Sequence, residues 1–202
     1  MKLLRALVAL PGVLLIGASP PSKAWTVFGL ELGKPVSIPV CKKKVLPGGL
    51  VSEYSYEDNP AEMCHEPESA LRDAPWQRGS INFPRAQMPT ILHINAGWTL
   101  VIDGKIEGLT FDTLDHTYSQ LVIAELTLKF GPATSIRRTV GRVISGVAVP
   151  CLQAEWRLPG LYVSYRSIDK NIEYGQLNIE TPTMEALRHQ HDEAAIRQRK
   201  SL

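Results

Sequence analysis

Three cysteines, Cys41, Cys64 and Cys151, are the residues of this chain with the most evident chemistry. In an oxidising compartment two would pair and one would be left over, and three pairings are possible. Cys41 with Cys64 is the expected pair, because both lie in a stretch punctuated by Pro and Gly. That bond would also bring Lys42, Lys43 and Lys44 beside Glu62 and Glu66. Closing such a loop is worth ~3 kcal/mol in the chain-entropy account. Cys151 would then be a free thiol, a nucleophile or an intermolecular bridge if accessible. Nothing around it in sequence marks a reactive setting, so an inert strand thiol is the plainer expectation.

Other chemistry falls short of a pattern. His65-Glu66 is followed by Pro67, and Ser69 stands where the HExxH metal motif needs its second His. Ala61 stands where haem attachment through Cys64-His65 would need a first Cys. His189 and Glu193 could share a helix face at i, i+4 and hold a metal, but no third ligand can be named. His93 and His116 are isolated. GxSxG, GxGxxG and P-loop patterns are missing from the sequence. A Ser–His–Asp triad is assembled in space, so sequence spacing does not test for it. Sequence alone therefore assigns no catalytic residue, cofactor or metal. What it offers as a candidate partner surface is the set of aromatics in the loop-rich stretch, Tyr54, Tyr56 and Trp76.

The elements that would position these residues centre on one helix, at about 115–130. Asp115 can cap it. Tyr118, Val122, Leu126 and Phe130 follow at steps of four with Ile123 beside them, giving one broad apolar face. Lys129 suits its last turn, Gly131 can take a positive φ after it, and Pro132 cannot continue it. Strand-like runs lie on both sides. Trp25–Leu30 and Ile91–Asn95 are two of them. Trp98–Asp103 and Lys105–Phe111 form a third and fourth, joined by Asp103-Gly104, a strong hairpin signal. The turn would pair Val101 with Ile106, and a bulge at Gly108 would place Ile106, Leu109 and Phe111 on one face. After the helix come Arg142–Val149, ending before Pro150, and Cys151–Leu158. A turn at Pro159-Gly160 leads into the alternation of Leu161, Val163 and Tyr165. A loop at Asp169–Asn171 precedes a strand to Glu180. Thr181-Pro182 opens a polar C-terminal helix. This order predicts an α+β fold, an antiparallel sheet covered on one face by the central helix. Residues 41–90 read as a loop-rich insertion, with Pro47, Pro60, Pro67, Pro75, Pro84 and Pro89 within it.

Residues 1–24 read as a signal peptide: Lys2 and Arg5, an apolar run from Ala6 to Ile16, then Ser22 and Ala24 before a cleavage site. That run is shorter than the ~20 residues that span a bilayer, and no later stretch is apolar enough. Residues 25–202 would be a single mature domain. Of 22 basic residues the leader takes three, leaving 19 against 20 acids. Such a balance gives no electrostatic case for nucleic acid.

The runs GKIEGLTFDT, LTLKFGPAT, AEWRLPGLYVSY and GQLNIETP resemble a group of small exported bacterial envelope proteins of unknown function. Those carry a DGKIEGI hairpin, an LxxKFGxP helix end, a lone Trp strand and a GxxxIxTP close. The matching pieces here are Asp103–Thr110, Leu126–Pro132, Trp156 and Gly175–Pro182, roughly the C-terminal half. The resemblance implies an envelope location and brings no catalytic residue. The expected function is a non-catalytic periplasmic or secreted interaction or accessory protein, its partner another envelope protein. An unrecognised envelope enzyme, such as a hydrolase, is the alternative.

Overall fold

The computed structural model describes residues 24–71, 74–142, 147–168 and 174–200. The expected signal peptide, apart from Ala24, and the expected loop at Asp169–Asn171 lie outside the described residues.

In chain order the strands before the first helix are β1 (Thr26–Val27), β2 (Leu30–Glu31), β3 (Lys43–Val45), β4 (Val51–Tyr56), β5 (Cys64–Ala70), β6 (Gln77–Asn82), β7 (Ala96–Ile102) and β8 (Lys105–Thr113). Helix α1 (Ser119–Phe130) follows. Then come β9 (Ser135–Arg142), β10 (Ala148–Leu158), β11 (Leu161–Arg166), β12 (Gly175–Glu180) and helix α2 (Pro182–Lys200). Eight strands form one sheet in the order β5-β6-β7-β8-β12-β11-β10-β9, every neighbour antiparallel. The fold is α+β.

The β7–β8 hairpin sorts the two faces of this sheet. Asp103 and Gly104 both have positive φ, 49° and 72°, as the two-residue turn requires. Val101 pairs with Ile106, but Leu100 pairs with Gly108, so Glu107 is an extra residue. The bulge resets the alternation. Ile106, Leu109 and Phe111 are therefore all buried on one side, while Gly108, Thr110 and Asp112 turn to the other. Gly97 completes the apolar side: a Cβ there would lie 2.3 Å from the Phe111 ring, so only glycine lets that ring lie against the strand.

The apolar core joins Ile106, Leu109 and Phe111 to Trp156, Val163, Leu177 and Ile179 from neighbouring strands, and to Val122, Ile123, Leu126 and Phe130 of α1. Burying each such side chain is worth ~1.5–3 kcal/mol. The Trp156 indole donates to the Gly131 carbonyl at 2.8 Å, tying the end of α1 to β10. Trp25 is docked on the same body: its indole donates to the Pro159 carbonyl at 3.0 Å, and its ring lies 6.5 Å from Phe130.

Several boundaries differ from expectation, each for a physical reason. Asp115 does cap, accepting the Thr117 amide at 2.7 Å, but the turn it opens, His116–Tyr118, is a 3-10 turn. Three residues per turn carry Tyr118 off the stripe of α1, and it is 51% exposed. Trp25–Leu30 is a tight β1–β2 hairpin, because Phe28 and Gly29 both take positive φ. Ile91–Asn95 contributes only an isolated bridge, Leu92 to Thr113. Residues 41–90 hold β3 to β6, two of them in the main sheet. CHEPESA and QRGSIN lack the apolar alternation that marks a strand in sequence, because much of their surface is polar on both sides. Of the strand expected at Arg142–Val149, residues 143–146 lie outside the described residues; Arg142 ends β9, which begins at Ser135, while Ala148 and Val149 open β10, with Pro150 inside it. Among the described residues Pro150 pairs with Val140 of β9, while the pairing of β10 with β11 begins at Gln153.

Candidate functional site

The sheet face away from the apolar core is polar and partly open. Its central row runs from Ser80 through Trp98, Thr110, Asn178 and Ser164 to Glu155, one residue from each of β6, β7, β8, β12, β11 and β10 in continuous register. The Thr110 hydroxyl donates to the Asn178 amide oxygen at 3.0 Å. A second row beside it runs from Asp112 through Gln176 and Arg166 to Gln153.

A third row, on the other side of the central one, runs from Gly108 through Glu180 and Tyr162 to Arg157, and helix α2 lies across it. Thr181 starts it: its carbonyl accepts the Glu185 amide at 3.0 Å, and its hydroxyl donates to the Glu107 carboxylate. Met184 is fully buried, with its Cγ 3.1 Å from where a Gly108 Cβ would stand, so the bulge glycine makes room for the helix. Arg188 forks onto Glu180, Nε to Oε1 and Nη2 to Oε2, both at 2.8 Å. The Glu180 side chain is 1% exposed, so this pair is anchored in the interior. Burial works against the Arg188 charge, but the bonds to Glu180 outweigh it and raise the guanidinium pKa. Arg157 binds Glu185 at 2.9 Å at the rim. Farther along α2, His191 packs edge-on against Trp76, ring centroids 5.3 Å apart.

Beside this helix the face is hollowed. A cleft of about 330 Å³ is lined by Trp76, Trp98, Tyr174, Arg78, Asp112 and Gln176, with Leu71, Leu100 and Thr110. Its rings are held by neighbours. Trp76 has His191, Tyr174 stacks on His93 at 5.6 Å, and the Arg78 guanidinium lies 5.9 Å from the Trp98 ring. A second cleft of about 170 Å³, lined by Gln153, Glu155, Ser164, Arg166, Asn178 and His189 among others, shares Gln176 with the first. The two clefts meet at Gln176 to give a groove, aromatic at one end and polar at the other, and α2 borders the polar end through Arg188 and His189. No protein-family model matches this chain, and no curated protein or solved structure shows significant similarity to it.

A further cleft of about 370 Å³, between Phe28, Ile91 and α1, holds few converging polar groups and is less suited to a ligand than the groove. Its Lys129 ammonium already sits 5.0 Å from the Phe28 ring.

Of the aromatics singled out in sequence, Trp76 lines the groove. Tyr56 lies on the separate β3–β4 ribbon, with the Lys43 ammonium 3.7 Å from its ring. The Tyr54 side chain lies outside the described residues. The ribbon is followed by Asp58 and Asn59, which bond to Asn95 and Arg85 beyond the Asn82 end of β6; Trp76 precedes the other end. Trp98 and Tyr174 were not singled out in sequence, because both read as strand residues. The signal that could have found Trp98 is the bulge itself: it turns Trp98 and Thr110 to the polar side once Ile106, Leu109 and Phe111 are placed inward.

Cys41 and Cys64 are joined by a disulfide, and both are buried. The lysine run pairs differently from expectation. Lys44 binds Asp58 at 2.6 Å, while Glu66 accepts from the Asn82 amide at 2.9 Å. Cys151 is a free thiol, but it is 5% exposed, so it lacks the access that a nucleophile or an intermolecular bridge needs. It lies between Gly141 and Ser167, whose hydroxyl is 3.5 Å from its sulfur. His189 and Glu193 face other partners: His189 is 3.9 Å from Glu185, and Glu193 binds Arg197 at 3.0 Å. Among the described residues no cluster of three or more His, Cys, Asp or Glu could hold a metal, and no helix is long and apolar enough to cross a membrane.

Proposed function

We propose that this chain is a non-catalytic binding module of the bacterial envelope, and that the groove beside α2 is its ligand seat. The observation that carries this is the convergence of Trp76, Trp98 and Tyr174 on one concavity with Arg78, Asp112 and Gln176. Large rings with a few placed polar groups are how a rigid scaffold holds a small ligand. The arrangement suits holding better than reacting. Asp112 is the lone carboxylate of the aromatic end, and the free thiol Cys151 is buried away from it.

The export reading supports the location. The leader pattern, the Cys41–Cys64 bond and the resemblance to small exported envelope proteins agree with it. Within this reading α1 serves as the cover of the apolar sheet face, leaving the polar face free for ligand. The test is hydrogen exchange of the full chain with and without an envelope extract. Amides of β7, β8 and β12 should gain protection and those of α1 should not. Protection confined to α1, or none, sinks the proposal.

A further inference from the structure

The groove has a chemical character that narrows its ligand, and this inference rests on the reading just given. Arg188, which also lines the polar cleft, is neutralised by the buried Glu180, and four charges remain: Arg78 and Arg166 against Asp112 and Glu155. They balance, so a phosphate, a nucleic acid or an acidic peptide finds no net attraction there. Between them stand Ser164, Thr110, Asn178, Gln176 and Gln153. Hydroxyls and primary amides both donate and accept, so each can meet the hydroxyl or acetamido groups of an uncharged ligand. At one end the rings of Trp76, Trp98 and Tyr174 supply flat apolar surface. A pyranose has the matching shape: hydroxyls round its edge and C–H groups on its faces. The central row from β6 to β10 spans five strand spacings, about 24 Å at ~4.8 Å each. That is room for several linked sugars, not one.

We propose that the polar sheet face binds a neutral glycan chain laid across the strands, with one pyranose stacked at the Trp98 end. Gln176, which lines both clefts, is the residue that continues recognition from the aromatic end to the polar end. Charge balance and the paired donor–acceptor side chains choose this occupant over a protein segment, which would want more contiguous apolar surface.

The experiment titrates the full chain with N-acetylglucosamine oligomers and glucose oligomers of increasing length, read by calorimetry and tryptophan fluorescence. Binding by either series should tighten with length. Trp98→Ala should weaken all oligomers about tenfold, the size of one lost aromatic contact. Gln176→Ala should weaken long oligomers and spare short ones, and Leu128→Ala, on α1, should change nothing. Trp98→Tyr, which keeps a ring, should retain most binding and serves if Trp98→Ala fails to fold. The envelope-extract assay is then repeated after digestion with a glycan-cleaving enzyme or with a protease. Loss of protection only after glycan cleavage supports the assignment. Loss only after proteolysis overturns the glycan while leaving the groove as a ligand seat. Absence of protection with any extract overturns both, as does oligomer binding indifferent to Trp98 and Gln176.

Discussion

Leu126 and Leu128 offer a controlled comparison within one helix. Leu126 is 1% exposed and lies in the core, while Leu128 is 83% exposed two positions later. Leu126→Ala removes the same atoms as Leu128→Ala but leaves a cavity beneath α1. Its cost is expected at ~2–5 kcal/mol, the range for a buried leucine. Leu128→Ala is expected within ~0.5 kcal/mol of zero, and exposed Glu125→Ala likewise. For a domain of this size ~1 kcal/mol moves Tm by about 2–4 °C, so Leu126→Ala should lower it by roughly 4–20 °C. Urea melts of the oxidised protein, with unchanged slopes, measure all three. Equal small effects would mean that α1 is not packed as described. A large Leu128 effect that depends on protein concentration would mean that the exposed side of α1 is covered by another copy.

The remaining expectations follow from single contacts. Arg188→Ala should destabilise by ~3–5 kcal/mol, since it strands the buried Glu180 carboxylate. Replacing both partners by apolar residues should cost much less, as melts of the single and double variants would show. Cys41→Ser should cost ~2–4 kcal/mol by denaturant melts. Cys151→Ser, at a buried site, should cost ~1 kcal/mol. In the native protein Cys151 should resist a thiol reagent and react only on unfolding; fast native labelling would contradict its burial. The Thr117 hydroxyl and amide hold the Asp115 carboxyl below its ordinary value of 3.8. A lowered folded value means that the capping contribution is complete above the ordinary value and is lost as pH falls through the folded one. The protection of the Thr117 amide, its exchange rate relative to the intrinsic rate at the same pH, should therefore fall in acid and hold in mild alkali.

What the sequence disclosed was local grammar. Asp103-Gly104 named its turn, and the need to bury Ile106, Leu109 and Phe111 together named the bulge. Thr181-Pro182 named the start of α2, and the alternation of Leu161, Val163 and Tyr165 named a strand. What stayed hidden depends on pairing between distant segments. Cys64–Ala70 becomes a strand because Gln77–Asn82 lies beside it, not because of its own pattern. The groove is hidden for the same reason. Trp76, Trp98 and Tyr174 are far apart in sequence, and only the order β6-β7-β8-β12 brings them together. In sequence α2 reads only as a polar helix, and it takes the folded sheet to show Met184 and Arg188 fixing its first turns.

The two borders of the sheet are unlike, and this has a consequence for how molecules could join. At β5 the chain lays Val40 alongside His65, with the Cys41 amide on the His65 carbonyl at 2.8 Å and the Cys41–Cys64 bond holding the segment there. Pro67, a register shift between Glu66 and Ser69, and two glutamates blunt the rest. At β9 the register is unbroken over eight residues, Ile136 and Val140 are 55% and 73% exposed, and Arg137 and Arg138 are the guards. Among the described residues no strand pairs with the outer side of β9, and a sheet with one sealed border and one open border adds a single neighbour and then stops, so edge-to-edge growth would terminate at a pair. Reduction would loosen the sealed border and turn a closed association into an open-ended one. Light scattering at high concentration should then rise with reductant in the wild type, and Val140→Lys should suppress it. Scattering unaffected by reductant would show that the disulfide does not police that border.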